Sequence, residues 1–363
     1  MTDERALKEG EAPAGRAGLR RTLLVLGGLV VAHGIFLAWP ARSNFGEAHG
    51  DGPRFGVVLD VGGRGDKSFN DGAWAGAERA ERDLGAAVRF IEPGDGSDRE
   101  AGLRLLAAQH SDLVIGVGFI FTDDLFTLAA EYPEVRFAGV DFALRVDEKG
   151  NVVPLPPNLA ALKFREEEGS FLVGAIAALA GGSKKVGFVG GMDIPLIHKF
   201  EDGYRQGVLA VCADCEVIAK YAGATPDAFK DPGKGKELAL SQYEEGVNVI
   251  FHASGSTGLG VFEAARAKGK LAIGVDADQY AEAPGHILTS MTKGVDTAVF
   301  DTVARVKSGT FEGGVHSFGL AEGGVGYVYD EHNKSLIPDD VHERVEALRA
   351  DIIAGRIRIK VGR

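Results

Sequence analysis

Cysteine is scarce in this chain of 363 residues, which contains only two, Cys212 and Cys215. A structural zinc site uses about four ligands, and there is no second pair of cysteines to complete one. A redox C-x-x-C motif belongs near the start of a thioredoxin-like unit, whereas this pair lies in mid-chain after a helical stretch. We therefore expect a local disulfide or two unpaired thiols, and no metal site.

Positive charge is also in deficit. The chain has 40 lysines and arginines against 52 aspartates and glutamates, so its formal net charge is −12 at pH 7 and its pI is near 5.3. No run rich in lysine or arginine occurs after residue 54. Binding to a phosphate backbone needs a cationic face, so nucleic acid is excluded as an expected partner.

The familiar signatures of enzymes are missing as well. The chain has no Walker A, G-x-S-x-G or H-E-x-x-H string, and Gly187–Pro195 (GFVGGMDIP) lacks the G-x-G-x-x-G spacing of a dinucleotide loop. Asp60, Asp66 and Asp71 are too dispersed to require the metal of a nucleoside hydrolase. We expect a protein without catalytic activity or cofactor, with an enzyme on a similar parallel sheet as a rival class.

One long apolar run is present, from Thr22 to Trp39, and arginines at 20 and 21 precede it. It is just long enough to cross a bilayer, which needs roughly 17–25 residues. The positive-inside rule places the chain after it on the periplasmic side of the inner membrane. Residues 1–53 are therefore interpreted as a cytoplasmic N-terminus, a membrane anchor and a linker. A cleaved signal peptide is the open alternative.

From residue 54 onward, apolar runs of strand length alternate with helical stretches, and the pattern occurs twice. The first series has strands at Phe55–Val61, Val88–Ile91, Leu113–Val117 and Arg136–Val140, with helices at Phe69–Leu84, Arg99–Gln109 and Thr122–Tyr132. The second has strands near Lys185, Glu216–Tyr221, Val247–His252, Leu271–Val275 and Ile287–Met291, and a helix at Val295–Lys307. Unbroken apolar strands between helices indicate parallel sheets covered on both faces. The sequence predicts an α/β chain with two doubly wound lobes.

The boundaries of these lobes follow from the two series. We expect Leu159–Phe164 to act as a hinge strand between them. The expected division is 54–160 with about 292–312 in lobe 1, 161–291 with about 313–335 in lobe 2, and 336–363 as a C-terminal helix and tail.

Ligands of open α/β sheets bind beyond the carboxyl ends of the strands. Asp60 and Asp141 follow strands of the first series, and Gly255 and Asp276 follow strands of the second. Each aspartate alone is equally a cap or turn residue. Because carboxylates recur at strand ends in both halves, the sequence predicts one cleft shared by the two lobes.

Six ordered blocks between about Phe55 and Tyr329 resemble the signature blocks of the basic membrane protein family of substrate-binding proteins, also called the PnrA-like family. The blocks are GDKSFND (65–71), FREEEGSFLVGAIAAL (164–179), KVGFVGGMDIPLIHKFEDGY (185–204), HASGSTGLGV (252–261), AIGVDADQ (272–279) and LTSMTKGVD (288–296). The resemblance implies a type I periplasmic-binding fold with a hinge. It further implies a purine or related nucleoside between the lobes, delivered to the permease and ATPase subunits of an ABC importer.

The same resemblance assigns residues to the base of the nucleoside. Phe69 and Asn70 resemble the stacking ring of the family and the hydrogen-bonding amide beside it. Asp60 or Asp141 would accept from the edge of the base, and Phe200 is the candidate for a second ring. A purine is flat and apolar on both faces, so aromatic rings and a carboxylate suit its chemistry.

The ribose clamp of the family is matched by Asp276, Lys293 and the backbone at Gly255. For Lys293, an ordinary surface lysine is the alternative.

The sequence departs from the family in one respect. Many members are lipoproteins with a cysteine directly after the apolar run, whereas the first cysteine here is Cys212. A transmembrane anchor is therefore expected, and a membrane-anchored nucleoside sensor with the same fold remains the alternative to an importer component.

Overall fold

The computed structural model describes residues 52–92 and 98–362. The apolar run at 22–39 lies outside these residues. Within the described ranges, no helix is long and apolar enough to cross a membrane.

The described part of the chain contains two six-stranded sheets and the helices that cover them. The strands are β1 (Arg54–Val58), β2 (Ala87–Ile91), β3 (Leu113–Val117), β4 (Arg136–Val140), β5 (Leu159–Phe164), β6 (Lys185–Met192), β7 (Glu216–Gly223), β8 (Val249–Ala253), β9 (Leu271–Asp276), β10 (Ile287–Lys293), β11 (Gly314–Phe318) and β12 (Val325–Tyr327). The helices are α1 (Phe69–Leu84), α2 (Arg99–Ala108), α3 (Thr122–Glu131), α4 (Glu166–Ala180), α5 (Pro195–Val211), α6 (Pro232–Glu244), α7 (Thr257–Lys268), α8 (Val295–Ser308) and α9 (Asp339–Ile353).

The two sheets repeat one strand order, which confirms the predicted pair of parallel-sheet lobes. The first runs β11-β5-β4-β3-β1-β2, and the second runs β12-β10-β9-β8-β6-β7. Neighbouring strands are parallel throughout, except that β12 is antiparallel to β10. In this order β4 of the first sheet corresponds to β9 of the second, so their carboxyl ends occupy equivalent places in the two lobes.

The apolar strands are unbroken because helices cover both faces of each sheet. In β1, Val57 packs into the same core cluster as Ala73 and Ala77 of α1, whereas the next residue, Val58, packs with Leu103 of α2 on the opposite face. Successive side chains of a strand point to opposite faces. Both faces are buried, so no polar alternation appears in the sequence.

The chain passes between the lobes at three places, after β5, after β10 and between β11 and β12. Backbone hydrogen bonds join these crossings to one another. Arg165 N–H donates to the carbonyl of Phe318 at 2.9 Å, and Gly294 N–H donates to the carbonyl of Gly324 at 2.9 Å. The three crossings therefore form one connected hinge region.

Two expectations about the lobe boundaries are corrected by the strand pairing. Leu159–Phe164 is a full strand of the first sheet, lying between β4 and β11, so a boundary at residue 160 would divide it. Of the range 313–335, Gly314–Phe318 pairs in parallel with β5 and belongs to the first sheet, and β12 belongs to the second. The pairing with β11 satisfies the backbone groups along the outer edge of β5, which would otherwise be unpaired.

The pair Cys212 and Cys215 forms a disulfide directly after α5. Of the two states expected for these cysteines, a local disulfide or two unpaired thiols, the structure has the disulfide. The bridge closes a short loop between α5 and β7, at the surface of the second lobe.

Helices α4 and α5 of the second lobe approach each other through glycine. A Cβ atom at Gly207 of α5 would lie 1.9 Å from the carbonyl oxygen of Phe171 in α4. Real Cβ atoms do not come so close, so any side chain here would separate the two helices. Most of α4 is buried, and the separation would open the core of the lobe.

We predict that Gly207→Ala lowers the free energy of unfolding by about 1–3 kcal/mol, because it overpacks this helix contact. The matched control is Gly72→Ala in α1, where the new Cβ would lie 3.5 Å from the nearest side-chain atom, in Val295. The control should be neutral or stabilising by up to about 1 kcal/mol, since alanine favours helix. Urea unfolding followed by circular dichroism measures both, and equal effects of the two substitutions would contradict the packing argument.

Candidate functional site

A cavity that is partly open to solvent lies between the lobes at the carboxyl ends of the strands. The structure brings together on this one cavity every site residue expected from the sequence, namely Asp60, Phe69, Asn70, Asp141, Phe200, Gly255, Asp276 and Lys293. Hydrogen bonds from Ser68 to Asp276 and from Lys293 to Asp141 join the two lobes beside the cavity, so the lobes are closed.

Two aspartates occupy equivalent places at the cavity, one in each lobe. Asp141 follows β4 and Asp276 ends β9, and both have left-handed backbone angles, with φ of 57° and 65°. Non-glycine residues seldom adopt this conformation, which costs of order 1 kcal/mol or more. The strained turns direct two carboxylates from opposite sheets into the same space.

Each of these carboxylates has one oxygen bonded and one without a partner. Oδ2 of Asp141 accepts from Lys293 Nζ at 2.6 Å, and Oδ2 of Asp276 accepts from Ser68 Oγ at 2.5 Å. Oδ1 of both residues is buried and has no hydrogen-bond partner among the described residues. Buried acceptors without donors are unfavourable, so the cavity has two positions at which a ligand donor would be stabilised.

Lys293 lies at the end of β10, where the chain leaves the second lobe. Its side chain is 2% exposed, and Nζ lies 2.6 Å from Asp141 and 3.5 Å from Glu166. The ring centroids of Phe69 and Phe200 are 4.9 and 5.5 Å from Nζ. Lys293 is therefore a buried cation and not a surface lysine.

The charges of this cluster change the pKa values of its members. Burial disfavours the ammonium form of Lys293, but the carboxylates of Asp141, Glu166 and Asp276 outweigh burial and raise the pKa of the lysine above its usual range. Burial raises the pKa of Asp141 more than the ammonium lowers it. Burial also raises the pKa of Asp276 to about 6, against the lowering effects of Lys293 and Ser68.

Asn70 lines the cavity, and its amide also makes hydrogen bonds within its own lobe. Oδ1 of Asn70 accepts from the backbone N–H of Asp60 at 2.9 Å, and Nδ2 donates to Asp66 at 3.0 Å. Asp66 also accepts from the backbone N–H groups of Ser68 and Asn70. The sequence did not predict Asp66 as a residue of the site. Asn70 therefore fixes the loop between β1 and α1 and positions Asp60 toward the cavity.

Four phenylalanine rings form the aromatic lining of the cavity among the described residues. Phe69 begins α1 of the first lobe and Phe200 lies in α5 of the second, so the two expected rings come from opposite lobes. Phe119 and Phe229 were missed, and their rings meet edge to face across the lobes with centroids 6.3 Å apart. Phe119 follows β3, so inspecting the end of that strand would have found it. Phe229 ends a short 3₁₀ helix, Pro226–Phe229, which follows β7, so it is not adjacent to the strand end.

Known proteins resemble this chain along most of its length. Residues 55–362 match the family model described as ABC transporter substrate-binding protein PnrA-like. The chain is 32% identical to basic membrane protein A1 of Borrelia garinii, over 88% of this chain and 90% of that one. It is 37% identical to an uncharacterized lipoprotein of Pyrococcus horikoshii, over 75% of this chain and 67% of that one.

Solved structures give the same result for the fold. A solute-binding protein of an ABC transporter system from Aeropyrum pernix is 33% identical, with a TM-score of 0.76, over 86% of this chain and 94% of that one. The counterpart from Conexibacter woesei is 25% identical, with a TM-score of 0.66, over 85% of this chain and 99% of that one. The two-lobed α/β fold expected from the resemblance is thereby confirmed.

The carboxyl of Asp60 makes a pH-dependent contribution to stability. Burial raises its pKa from 3.8 to about 7, against the backbone hydrogen bond from Val61. At Asp60 the native state then binds more protons than the unfolded state between about pH 4 and pH 7, so the contribution of Asp60 to the free energy of unfolding falls as pH rises through that window. We predict that Asp60→Asn is more stable than wild type by about 1–4 kcal/mol at pH 8 and equal to it near pH 4.

Urea unfolding at pH 4.5 and pH 8 measures this difference. Asp147→Asn is the matched control, because Asn151 lowers the pKa of that exposed carboxyl and its loss gives no gain at pH 8. Equal stabilities of Asp60→Asn and wild type at both pH values would show that Asp60 titrates normally.

Proposed function

Because the chain belongs to the PnrA-like family of ABC transporter substrate-binding proteins, we propose that it captures a purine nucleoside between its lobes and delivers it to an ABC importer. The proposed act is binding without a chemical step. The observation that carries the proposal is the pair of unpartnered buried oxygens, Oδ1 of Asp141 and Oδ1 of Asp276, in a cavity lined by phenylalanine.

A nucleoside has donors that suit this pair. Its base carries N–H groups along one edge, and its ribose carries O–H groups at the other end of the molecule. Asp141 and Asp276 approach the cavity from opposite lobes, so one ligand with donors at both ends would satisfy both carboxylates. Hydrogen bonds to a charged acceptor contribute about 1.5–3 kcal/mol each.

The aromatic lining supports a flat, apolar group at one end of the ligand. Phe69 and Phe200 approach from opposite lobes and both lie near Lys293. Stacking of a base on an aromatic side chain contributes about 1–3 kcal/mol. A base presents planar π-faces to such rings, whereas a sugar presents only C–H groups, so the rings favour a nucleoside over a sugar.

Roles within the proposed complex divide by chemistry. Asp60 or Asp141 accepts from the edge of the base, and Asp276, Lys293 and the backbone at Gly255 bind the ribose. Gly255 has a positive φ of 56°, a conformation that glycine adopts without strain and that lets its backbone approach a ligand.

We also propose that the protein works on the periplasmic side of the inner membrane. The apolar run at 22–39 would anchor it there, and permease and ATPase subunits would be its partners. Relatives named as lipoprotein and basic membrane protein support a location at a membrane.

The proposal is tested by identifying what the protein binds. Small molecules released from the purified protein by denaturation are analysed by mass spectrometry, and the refolded protein is titrated calorimetrically with adenosine, guanosine, inosine, cytidine and the free bases. Purine nucleosides should bind most tightly. Binding of a sugar or an amino acid with no response to any nucleoside would refute the assignment.

Phe69→Ala should weaken nucleoside binding by roughly tenfold to a hundredfold, because it removes a stacking face worth about 1–3 kcal/mol. Titration calorimetry measures the loss. Phe126→Ala is the matched control, since that ring belongs to a partly buried position in α3 and does not line the cavity. An unchanged affinity in Phe69→Ala would exclude Phe69 as the stacking ring.

Asp276→Asn should weaken nucleosides about tenfold to a hundredfold and free bases less than threefold, because the carboxylate is proposed to accept from ribose hydroxyls. The pKa of Asp276 is about 6, so the ionised acceptor is lost as pH falls below 6. Wild-type affinity for adenosine should therefore decrease from pH 7 to pH 5, and the decrease should be smaller in the variant. Equal losses for adenosine and adenine would show that Asp276 does not bind the ribose.

A further inference from the structure

We infer that Gln279 is a latch residue that holds the two lobes closed and that His252 positions it. This inference rests on the proposed function, in which the lobes close on a ligand. Gln279 follows β9 in the second lobe, and its Nε2 donates to the backbone carbonyl of Lys67 in the first lobe at 3.0 Å. This hydrogen bond joins the two lobes without using a ligand atom.

Obligatory backbone partners fix the orientation of the amide. Oε1 of Gln279 accepts from the backbone N–H of Val275 at 2.8 Å, and Nε2 faces the carbonyl of Lys67. An N–H group only donates and a carbonyl only accepts, so the amide cannot be reversed. The backbone N–H of Gln279 also donates to Ser290 Oγ at 3.1 Å, and the residue is 1% exposed.

His252 completes the support of this amide. Its Nε2 lies 3.1 Å from Oε1 of Gln279, so it must donate there, since that oxygen only accepts. Burial lowers the pKa of His252 to about 4, although the Gln279 contact opposes this, and the neutral ring then has an unprotonated Nδ1. Ser254 Oγ lies 3.3 Å from Nδ1 and donates to it. Because Ser254 lines the ligand cavity, a single chain of hydrogen bonds connects the cavity to the latch.

Glycines leave room for both side chains. A Cβ atom at Gly258 of α7 would lie 2.0 Å from Cε1 of His252, and one at Gly274 of β9 would lie 2.8 Å from Oε1 of Gln279. The receiving turn is also constrained, because Lys67 has a positive φ of 57°. Its N–H donates to Asp71 at 3.1 Å. Donor and acceptor of the latch are thus both held in place by their own lobes.

The latch is distinct from the ligand contacts. Gln279 does not line the cavity that holds the proposed ligand residues, as far as the described residues show. An interaction that forms only when the lobes close stabilises the bound state after the ligand has entered. It should therefore slow ligand release and leave the association rate nearly unchanged.

The test compares Gln279→Met with wild type in the purified full-length protein. Methionine keeps the length of the side chain and lacks the amide. Release of radiolabelled adenosine, chased with excess unlabelled adenosine, should be about three to ten times faster, and the association rate should change less than twofold. Unliganded molecules also close for part of the time, so hydrogen exchange of the segment 65–72, measured by mass spectrometry without ligand, should be faster than in wild type.

Gln242→Met is the matched control. Gln242 is also a buried amide of the second lobe, and its Nε2 donates to the carbonyls of Phe188 and Ile218 inside that lobe. The control is expected to lose stability, but its adenosine release and the exchange of 65–72 should match wild type. Equal release rates in Gln279→Met and wild type, or equal acceleration in both variants, would overturn the latch.

A double-mutant cycle tests the positioning role of His252. His252→Phe removes both ring nitrogens, and release should be about two to five times faster. The double variant with Gln279→Met should release no faster than Gln279→Met alone, because His252 acts through that amide. Additive effects would show that His252 contributes only to general stability.

These outcomes separate the latch from the proposed function. If wild type binds none of the nucleosides, the nucleoside assignment fails, and hydrogen exchange alone decides the latch. Identical exchange of 65–72 in wild type and Gln279→Met would then overturn it.

Discussion

The ammonium group of Lys293 is the interaction on which the rest of the site depends. It is buried where the chain leaves the second lobe, and it pairs with Asp141 of the first lobe and Glu166 of α4. Removing one member of a buried ion pair typically costs about 3–5 kcal/mol, because the remaining charge has no compensation. Here the same ammonium compensates carboxylates from both lobes. The position of Asp141 in the cavity and the closed arrangement of the lobes are therefore coupled through one cation.

Much of the fold could be predicted because local sequence determines it. Helix α1 and strand β3 have the predicted bounds, since long apolar patterns there end at clear turn residues. Strand β11 was assigned to the wrong lobe. Its burial alternates, with Val315 51% exposed, as is usual for an edge strand. Its partner β5 lies some 150 residues earlier, and nothing in the local sequence specifies a pairing over that distance.

The site was predictable to a similar degree. Strand ends on parallel sheets converge, so the places of Asp60, Asp141 and Asp276 along the sequence are enough to predict that they meet. The partners of a side chain could not be predicted in this way. The local sequence gives no sign that the amide of Asn70 bonds to Asp60 and Asp66. Hydrogen-bond partners of this kind depend on which groups the tertiary fold places beside a side chain, and the local sequence does not specify them.

The closed cavity contains several polar groups whose burial is unfavourable, and these groups oppose closure of the lobes when no ligand is bound. Two carboxylate oxygens are buried without donors, and mutual repulsion of carboxylates adds to burial in raising the pKa values of Asp60 and Asp276. A ligand with donors removes part of these costs only when the lobes are closed. Its differential affinity for the closed state then shifts the population toward it. Contacts between the lobes must be strong enough to hold a filled cavity and too weak to close an empty one permanently. A few neutral hydrogen bonds, each contributing about 0.5–1.5 kcal/mol, have a suitable strength for that purpose.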